Sequence, residues 1–252
     1  MSELVRVTVN EGVQYICFNR VQKKNAITLE MYQDLTDALR IAEKSADILV
    51  SIIHGNGMDF TAGNDISEFM QIAQTPDRMS PTMEFLQTLS VHPKPLLAAV
   101  EGRAIGVGAT LLLHCDMVFA AQGAKMQFPF VRLGVVPEAA SSFLLPSLAG
   151  HQIAFEKLIL GEAFDAEEAK DIGMVNHLCA DGEALVLAEN YAQKIVLLPP
   201  EAVMITKSLL KKRFQDEIQM SLMREGRIFK DRLQSKEARD AFSQFLARPK
   251  LN

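Results

Sequence analysis

The chain has 252 residues, of which 48% are hydrophobic and 23% are charged, a composition typical of a globular protein with a substantial core. Its formal net charge of −5 argues against nucleic acid as the main partner, because phosphate recognition normally shows as a basic surplus. Even the apolar segment 95–121 is interrupted by charged side chains, so it does not reach the roughly 18 apolar residues that a membrane helix needs.

We expect no targeting signal of a familiar kind at either end of the sequence. Residues 1–10 lack the apolar run of a signal peptide, and the ending Lys250-Leu251-Asn252 differs from the Ser-Lys-Leu of a peroxisomal address. We therefore expect a bacterial cytoplasm. The cysteines are widely spaced and form no CxxC pair, so we expect reduced thiols and neither a disulfide nor a zinc site. They are Cys17, Cys115 and Cys179.

The N-terminal sequence alternates apolar and polar residues, as half-buried strands do. Segments 4–10 and 13–18 are separated by a Glu-Gly pair, which predicts an antiparallel hairpin. Apolar residues then recur at helical spacing over 28–46, with Thr28 offering an N-cap oxygen. The β-branched run 48–54 suits a buried parallel strand.

A repeated pattern of strand, glycine turn and helix follows. Strand 48–54 leads into turn 55–64 before a helix resumes near Asp65, and strand 95–100 leads into turn 102–108 and a helix at 109–114. This order predicts an α/β core with a mainly parallel sheet, where ligands bind at the carboxyl ends of strands. Further strands are predicted at 117–121 and 126–128. Helices are predicted after them, at 152–160, 183–197 and 200–212.

The Pro199-Pro200 pair predicts a hinge between a core, residues 1–198, which holds the site, and a charged helical segment, residues 199–252. Three phenylalanines in that segment have two open roles: they cover the protein's own core, or they form a contact surface for other copies of the chain. They are Phe229, Phe242 and Phe245.

Each glycine turn can present free backbone N–H groups to an anion or an oxyanion, although either turn can also serve packing alone. The turns are Phe60-Thr61-Ala62-Gly63-Asn64-Asp65-Ile66 and Gly102-Arg103-Ala104-Ile105-Gly106-Val107-Gly108. Neither fits a dinucleotide or P-loop motif, and the chain has no GxSxG or HExxH. The five histidines are scattered singly and are interpreted as structural.

Glu138 is the carboxylate in the most unusual setting, among apolar and small residues just before a helix. It is either a helix N-terminal acid stabilised by the helix dipole or a catalytic group. An acid in an apolar pocket has a raised pKa, which suits it for proton transfer near neutral pH.

Three stretches together resemble the crotonase, or enoyl-CoA hydratase and isomerase, superfamily: 60–66, 101–116 (EGRAIGVGATLLLHCD) and 128–146 (FPFVRLGVVPEAASSFLLP). The similarity runs from about residue 5 to residue 210. It implies a crotonase-like spiral of ββα units with a C-terminal helical segment. It also implies an acyl-CoA substrate, no metal and no redox cofactor, with coenzyme A as part of the substrate, and assembly of the chain as a homotrimer or hexamer.

The resemblance also assigns roles to residues. The N–H groups of Ala62 and Val107 match the two donors that hold the thioester oxygen, and the CoA adenine is expected near residues 62–66, with Lys24 and Ala26 beside the pantetheine and phosphates. The complete implied substrate-binding set is Lys24, Ala26, Ala62, Gly63, Asn64, Asp65, Ile66, Gly106 and Phe130.

The chain departs from the hydratase pattern because Thr110 and Phe130 stand at the positions of the two hydratase glutamates. A Pro-Glu followed by small residues and a Ser-Ser pair instead resembles the Δ3,Δ2-enoyl-CoA isomerase branch. In the implied reaction, Glu138 moves a proton from C2 to C4 of a 3-enoyl-CoA during fatty acid β-oxidation. Two alternatives stay open: a hydratase or another crotonase-type acyl-CoA lyase or isomerase, and a catalytically silent acyl-CoA-binding module.

Overall fold

The computed structural model describes residues 2–69 and 80–247 of the chain. The chain begins with the hairpin that the alternation predicted: β1 (Val5–Asn10) pairs antiparallel with β2 (Val13–Phe18). The connecting Glu11 and Gly12 both have positive φ, at 47° and 81°, as a tight hairpin turn requires.

The main sheet has six strands in the order β1-β2-β3-β4-β6-β9. From β2 onward its neighbours are parallel: β3 (Val50–Gly55), β4 (Leu96–Val100), β6 (Met117–Ala121) and β9 (His177–Cys179). All five residues of β4 are buried, because helices cover both faces of the sheet at its centre. The predicted parallel α/β core is confirmed.

A second, smaller sheet lies beside the main one and was not predicted in full. It contains β5 (Arg103–Ile105), β7 (Lys125–Gln127) and β8 (Phe164–Asp165) in the order β5-β7-β8. Strand β5 occupies part of what the sequence suggested was only a glycine turn, and β7 begins one residue before the predicted strand at 126–128. The small sheet positions the second glycine turn.

Helices cover the sheets, and α1 begins as predicted, with the Thr28 hydroxyl accepting a hydrogen bond from the N–H of Met31 at 3.3 Å. Residues 66–69 are also helical, and the helix predicted at 109–114 is a short α-helix, α3, followed by a 3₁₀ turn at Leu111–His114. The α-helices are α1 (Leu29–Lys44), α2 (Ser80–Val91), α3 (Val107–Thr110), α4 (Ser141–Ala149), α5 (His151–Phe155), α6 (Ala166–Asp171), α7 (Ala184–Val196), α8 (Pro200–Lys212), α9 (Gln215–Leu233) and α10 (Lys236–Ala247). Helix α5 continues as a π-helical turn at Glu156–Leu160.

The core lies on both faces of the main sheet. On one face, α7 packs Ala184, Ala188 and Ala192 against the strands, since small residues four apart let the helix approach closely. The other face carries the larger apolar cluster, to which α1 and α2 contribute.

The C-terminal helices complete this larger cluster. Phe229 of α9 and Phe242 of α10 are buried in it, so of their two open roles the structure confirms that they cover the chain's own core. Phe245 remains 46% exposed. The described residues 200–247 therefore also contribute to the core of the part that holds the site. Within the described ranges, no helix has the length and apolar character needed to cross a membrane.

Candidate active site

The two glycine turns meet at a cavity of about 300 Å³ at the carboxyl ends of β5 and β7. The first turn contributes Ala62, Gly63 and Asn64 to the wall, and the second contributes Ile105 and Gly106. Most other lining side chains are apolar or aromatic, and helices α9 and α10 close the cavity with three phenylalanines: Phe229, Phe242 and Phe245. No carboxylate lines the wall among the residues that the structure describes.

Backbone pairing holds the turns together. Thr61 donates its N–H to the Arg103 carbonyl at 2.8 Å and accepts from the Ile105 N–H at 3.1 Å, so the turns form a short parallel bridge. Gly63 fits this contact only because it lacks a side chain. It has φ +84°, and a Cβ there would lie 2.6 Å from the Ile105 carbonyl oxygen.

The amide of Ala62 is not the free donor that the resemblance implied. It donates to the carbonyl oxygen of Lys24 at 2.9 Å, because the chain just before Ile27 runs alongside the first turn. We correct that assignment. The Gly63 carbonyl and the Asp65 N–H both pair with Ile27, which directs the Asn64 N–H to the opposite side, where it meets no acceptor among the described residues.

The amide of Val107 matches the prediction in being unpaired. Gly106 has φ 57° and ψ −120°, a backbone conformation suited to glycine, and α3 starts at Val107. The Gly106 N–H donates to Gln127 at 2.9 Å, and its carbonyl accepts from Ala109 and Thr110, whereas the Val107 N–H has no acceptor in the described part of the chain. Within the described ranges, the amides of Asn64, which lines the cavity, and of Val107, which follows the lining residue Gly106, are therefore both unpaired.

Glu138 lies at a second, very small cavity of about 10 Å³, which it shares with Thr82, Met83, Leu86 and Phe229. The residue is only 4% exposed, and its Oε1 atom has no hydrogen-bond partner within the described ranges. Burial and, secondarily, the charge of Glu225 raise the pKa of Glu138 to about 8. Glu138 is thus a shielded carboxyl group that titrates near neutral pH.

Two side chains connect Glu138 with the larger cavity. Phe229 lines both cavities and therefore lies between them. The Tyr32 hydroxyl donates a hydrogen bond to Oδ1 of Asn64. Burial and then the charge of Glu138 raise the pKa of Tyr32 well above its ordinary value, so Tyr32 interacts electrostatically with Glu138 as well as bonding to Asn64.

The segment after Glu138 adopts an unusual backbone conformation. Ala139 and Ala140 have φ values of 59° and 56°, in the left-handed region that non-glycine residues rarely occupy. Glu225 of α9 contacts this segment: its carboxylate accepts from the N–H of Ala140 at 2.6 Å and from the N–H of Ser142 at 2.9 Å. It also accepts from the Ser142 hydroxyl.

The other predicted substrate-binding residues fall into two groups. Ile66 and Phe130 line the larger cavity, together with the turn residues already described. Lys24, Ala26 and Asp65 do not line it. Lys24 is exposed, and Ala26 and Asp65 are both bonded to Arg20, with an Asp65 Oδ2 to Arg20 Nη1 distance of 2.7 Å. Asp65 also caps the helix at 66–69 through the N–H of Ser67, which indicates a structural role.

Tyr32, Glu225 and Phe229 were not predicted as site residues, although Phe229 was expected either in the core or at a contact surface. For Glu225 a signal was present in the sequence, because it shares one helical stripe with Ile218, Leu222 and Phe229, all of them buried. A lone acid on an apolar helix face indicates a buried carboxylate. No cluster of three or more His, Cys, Asp or Glu side chains suited to a metal ion occurs among the residues described.

The chain matches the family model described as "Enoyl-CoA hydratase/isomerase" over residues 8–252. The chain belongs to the enoyl-CoA hydratase/isomerase family. The resemblance to this family is thus confirmed, as is the crotonase-like fold. The solved structure titled "Structure of Pseudomonas aeruginosa OdaA" is similar to it with a TM-score of 0.94 and 40% identity, over 98% of this chain and 100% of that one.

Relatives in the enoyl-CoA hydratase/isomerase family differ in the activity that their names state. "Enoyl-CoA delta isomerase 2" of Homo sapiens is 33% identical over 98% of this chain, which spans 64% of that protein's length. "2,3-dehydroadipyl-CoA hydratase" of Escherichia coli (strain K12) is 29% identical over 98% of this chain and 96% of that protein. Membership of the family therefore leaves the choice between isomerase and hydratase to the site itself.

Proposed function

We propose that this family member is a Δ3,Δ2-enoyl-CoA isomerase that moves the double bond of a 3-enoyl-CoA to give the 2-trans-enoyl-CoA, as in the β-oxidation of unsaturated acyl chains. One observation carries the proposal: the Glu138 carboxyl group is buried, has a pKa of about 8, and shares the Phe229 side chain with a cavity whose described wall contains no acid. The isomerisation needs only one proton carrier.

The thioester carbonyl accepts hydrogen bonds from the Asn64 and Val107 amides in this proposal. Removal of a C2 proton creates a dienolate whose negative charge resides largely on that oxygen. Hydrogen bonds from fixed donors strengthen as the negative charge on the oxygen grows, and each contributes roughly 3 to 4 kcal/mol to the stability of the transition state. Both amides lack acceptors within the described protein, so neither has to break a bond to serve.

Glu138 acts as base and then as acid. As a carboxylate it removes a proton from C2, and as a carboxylic acid it returns the proton to C4 on the same face of the dienolate. A pKa of about 8 makes the carboxylate a stronger base than an exposed glutamate while leaving enough of it ionised near neutral pH. The apolar surroundings exclude water, which would otherwise compete by addition.

Hydration requires a pair of acids to position and activate a water molecule. The two positions that match the hydratase glutamates hold Thr110 and Phe130. Thr110 is buried and its hydroxyl faces the Val107 carbonyl at 3.4 Å, while Phe130 presents a ring to the cavity. Neither side chain supplies an acid or a base, which favours isomerisation over hydration.

A hydratase is the second candidate, because relatives of that name match this chain at similar identity. A purified sample incubated with a 3-enoyl-CoA is expected to give the 2-trans-enoyl-CoA, identified by chromatography against standards. In a parallel incubation, a 2-trans-enoyl-CoA is expected not to be hydrated to the 3-hydroxyacyl-CoA. Accumulation of a 3-hydroxyacyl-CoA as the main product would show that hydration is the activity.

Assembly as a homotrimer or hexamer and a cytoplasmic location belong to the same proposal. Helix α8 exposes Leu209 and Leu210, at 67% and 73%, and α9 exposes Met220 and Met223. Apolar side chains so exposed on neighbouring helices favour contacts with other copies of the chain. Sedimentation or light scattering of the purified protein tests the number of copies.

A further inference from the structure

The catalytic acid of the proposed reaction is followed by a backbone segment that needs support. Ala139 and Ala140 both carry Cβ atoms and both occupy the left-handed region, and both are buried. Such conformations persist where neighbouring groups hold them in place. The carboxyl group of Glu138 has an Oε1 atom without a partner in the described chain, so its position depends on this backbone more than on bonds of its own.

Glu225 supplies that support from a helix 85 residues further along the chain. Helix α4 begins at Ser141 without a capping side chain from its own N-cap residue, Ala140. The Glu225 carboxylate takes this place by accepting from the Ala140 and Ser142 amides and from the Ser142 hydroxyl. On the other side, the Ala139 carbonyl contacts Nε2 of His114 at 2.8 Å.

We propose that Glu225 is a positioning residue, which holds the left-handed Ala139-Ala140 turn and thereby aims the Glu138 carboxyl group at the reacting carbons. The inference rests on the proposed function, in which Glu138 is the base. Glu225 lines neither the larger cavity nor the small cavity at Glu138, so it acts on the reaction through Glu138 and does not contact the substrate.

Glu225 also affects the protonation of Glu138. The titratable groups that face Glu138 are Glu225 from α9, Tyr32 from α1 and, through the Ala139 carbonyl, His114; the residues of α2 at the small cavity carry no charge. Burial lowers the pKa of His114 to about 4, so that ring is neutral at the pH of the reaction. Removal of the Glu225 charge therefore lowers the pKa of Glu138.

The test compares Glu225→Gln with Glu217→Gln, which neutralises an exposed carboxylate on the same helix. An amide at position 225 has one acceptor oxygen and an NH₂ group that cannot accept the second backbone N–H. We expect kcat for a 3-enoyl-CoA to fall roughly tenfold to a hundredfold in Glu225→Gln, with KM within about twofold of the parent value. The rising limb of the kcat/KM profile moves to lower pH. Glu217→Gln leaves all three unchanged.

Glu225→Asp separates the effect of the negative charge at position 225 from the effect of the side-chain length. It keeps the charge but is one methylene shorter, so kcat is expected to fall while the rising limb stays close to its parent position. This variant also decides the matter if Glu225→Gln fails to fold. Glu138→Gln, assayed in parallel, reports on the proposed function itself: activity in that variant would remove Glu138 as the base, whatever Glu225 does.

Two results would overturn the role of Glu225 while leaving Glu138 as the base. In the first, Glu138→Gln is inactive, but both Glu225 variants keep the parent kcat and the parent pH profile. In the second, the Glu225 variants lose thermal stability, but kcat per folded molecule and the rising limb of the kcat/KM profile stay at their parent values. Folded molecules are counted by their binding of an acyl-CoA. Either result would assign Glu225 a purely structural role.

Discussion

The Tyr32 hydroxyl donates a hydrogen bond to the side-chain oxygen of Asn64, and so connects helix α1 to the wall of the candidate active site. Tyr32 is fully buried, with its ring 5.5 Å from that of Phe85. The backbone N–H of Asn64 has no acceptor among the residues described. The position of that amide therefore depends on a side chain some thirty residues earlier, which suggests the first prediction.

Tyr32→Phe keeps the ring packing and removes the hydrogen bond to Asn64. We expect kcat/KM for a 3-enoyl-CoA to fall roughly threefold to tenfold, because a loosened Asn64 amide holds the thioester oxygen less well. Tyr191→Phe is the matched control, since Tyr191 packs its ring against Phe119 and His177 on the other face of the sheet. Equal kcat/KM values in the two variants would contradict a role for the Tyr32 hydroxyl.

Glu138→Gln removes the only base of the proposed reaction and keeps the shape of the side chain. We expect turnover of a 3-enoyl-CoA to fall by about a thousandfold or more, while the affinity for a non-reactive acyl-CoA stays within a few-fold of the parent value. Steady-state kinetics and calorimetric titration measure the two quantities. A variant with parent-like turnover would favour a different base, and a parent protein without any turnover would favour the silent binding module.

The pKa of Glu138 sets the pH dependence of activity. A general base must be ionised to accept a proton, and burial raises this pKa to about 8, so kcat/KM is expected to rise with pH and to level off above about pH 8. An ordinary exposed glutamate would instead give a rising limb near pH 4.5. A profile that is flat from pH 5 to pH 9 would contradict Glu138 as the base. The measurement is kcat/KM across that range at constant ionic strength.

The same pKa predicts a pH-dependent stability. Between about pH 4.5 and pH 8, Glu138 is protonated in the folded protein and ionised in the unfolded chain. Its contribution to the free energy of unfolding is therefore largest at low pH. Its contribution is lost as the pH rises through about 8. Glu138→Gln removes this loss, and we expect its Tm to exceed the parent Tm by more at pH 8.5 than at pH 5. Scanning calorimetry at both pH values tests the sign, and the reverse order would contradict it.

Gly63→Ala tests the contact between the glycine turns. An alanine Cβ would lie 2.6 Å from the Ile105 carbonyl oxygen, in addition to the strain of φ +84°. Gly182→Ala has a similar φ, +87°, with open space around its Cβ, and isolates the strain, which costs about 1 kcal/mol. We expect Gly63→Ala to lower the free energy of unfolding in urea by clearly more than the control does. Only Gly63→Ala should also lower kcat/KM.

Much of the fold could be predicted from local sequence. The hairpin follows from period-two alternation around Glu11-Gly12, and α1 follows from helical periodicity after Thr28. Strand β5 was missed because three residues inside one glycine-containing turn carry almost no periodic signal. It becomes a strand only through pairing with β7, a partner some twenty residues later in the chain.

The sequence by itself determined the family, the two glycine turns and the unusual setting of Glu138, because motif, glycine content and apolar flanks are properties of neighbouring residues. The tertiary structure decided which amides remain unpaired. It assigned the N–H of Ala62 to Lys24 and left that of Asn64 without an acceptor in the part of the chain that the structure describes. It also brought Glu225 to the turn after Glu138. Hydrogen bonds between segments remote in sequence determine these features, and no local pattern encodes which remote group will arrive.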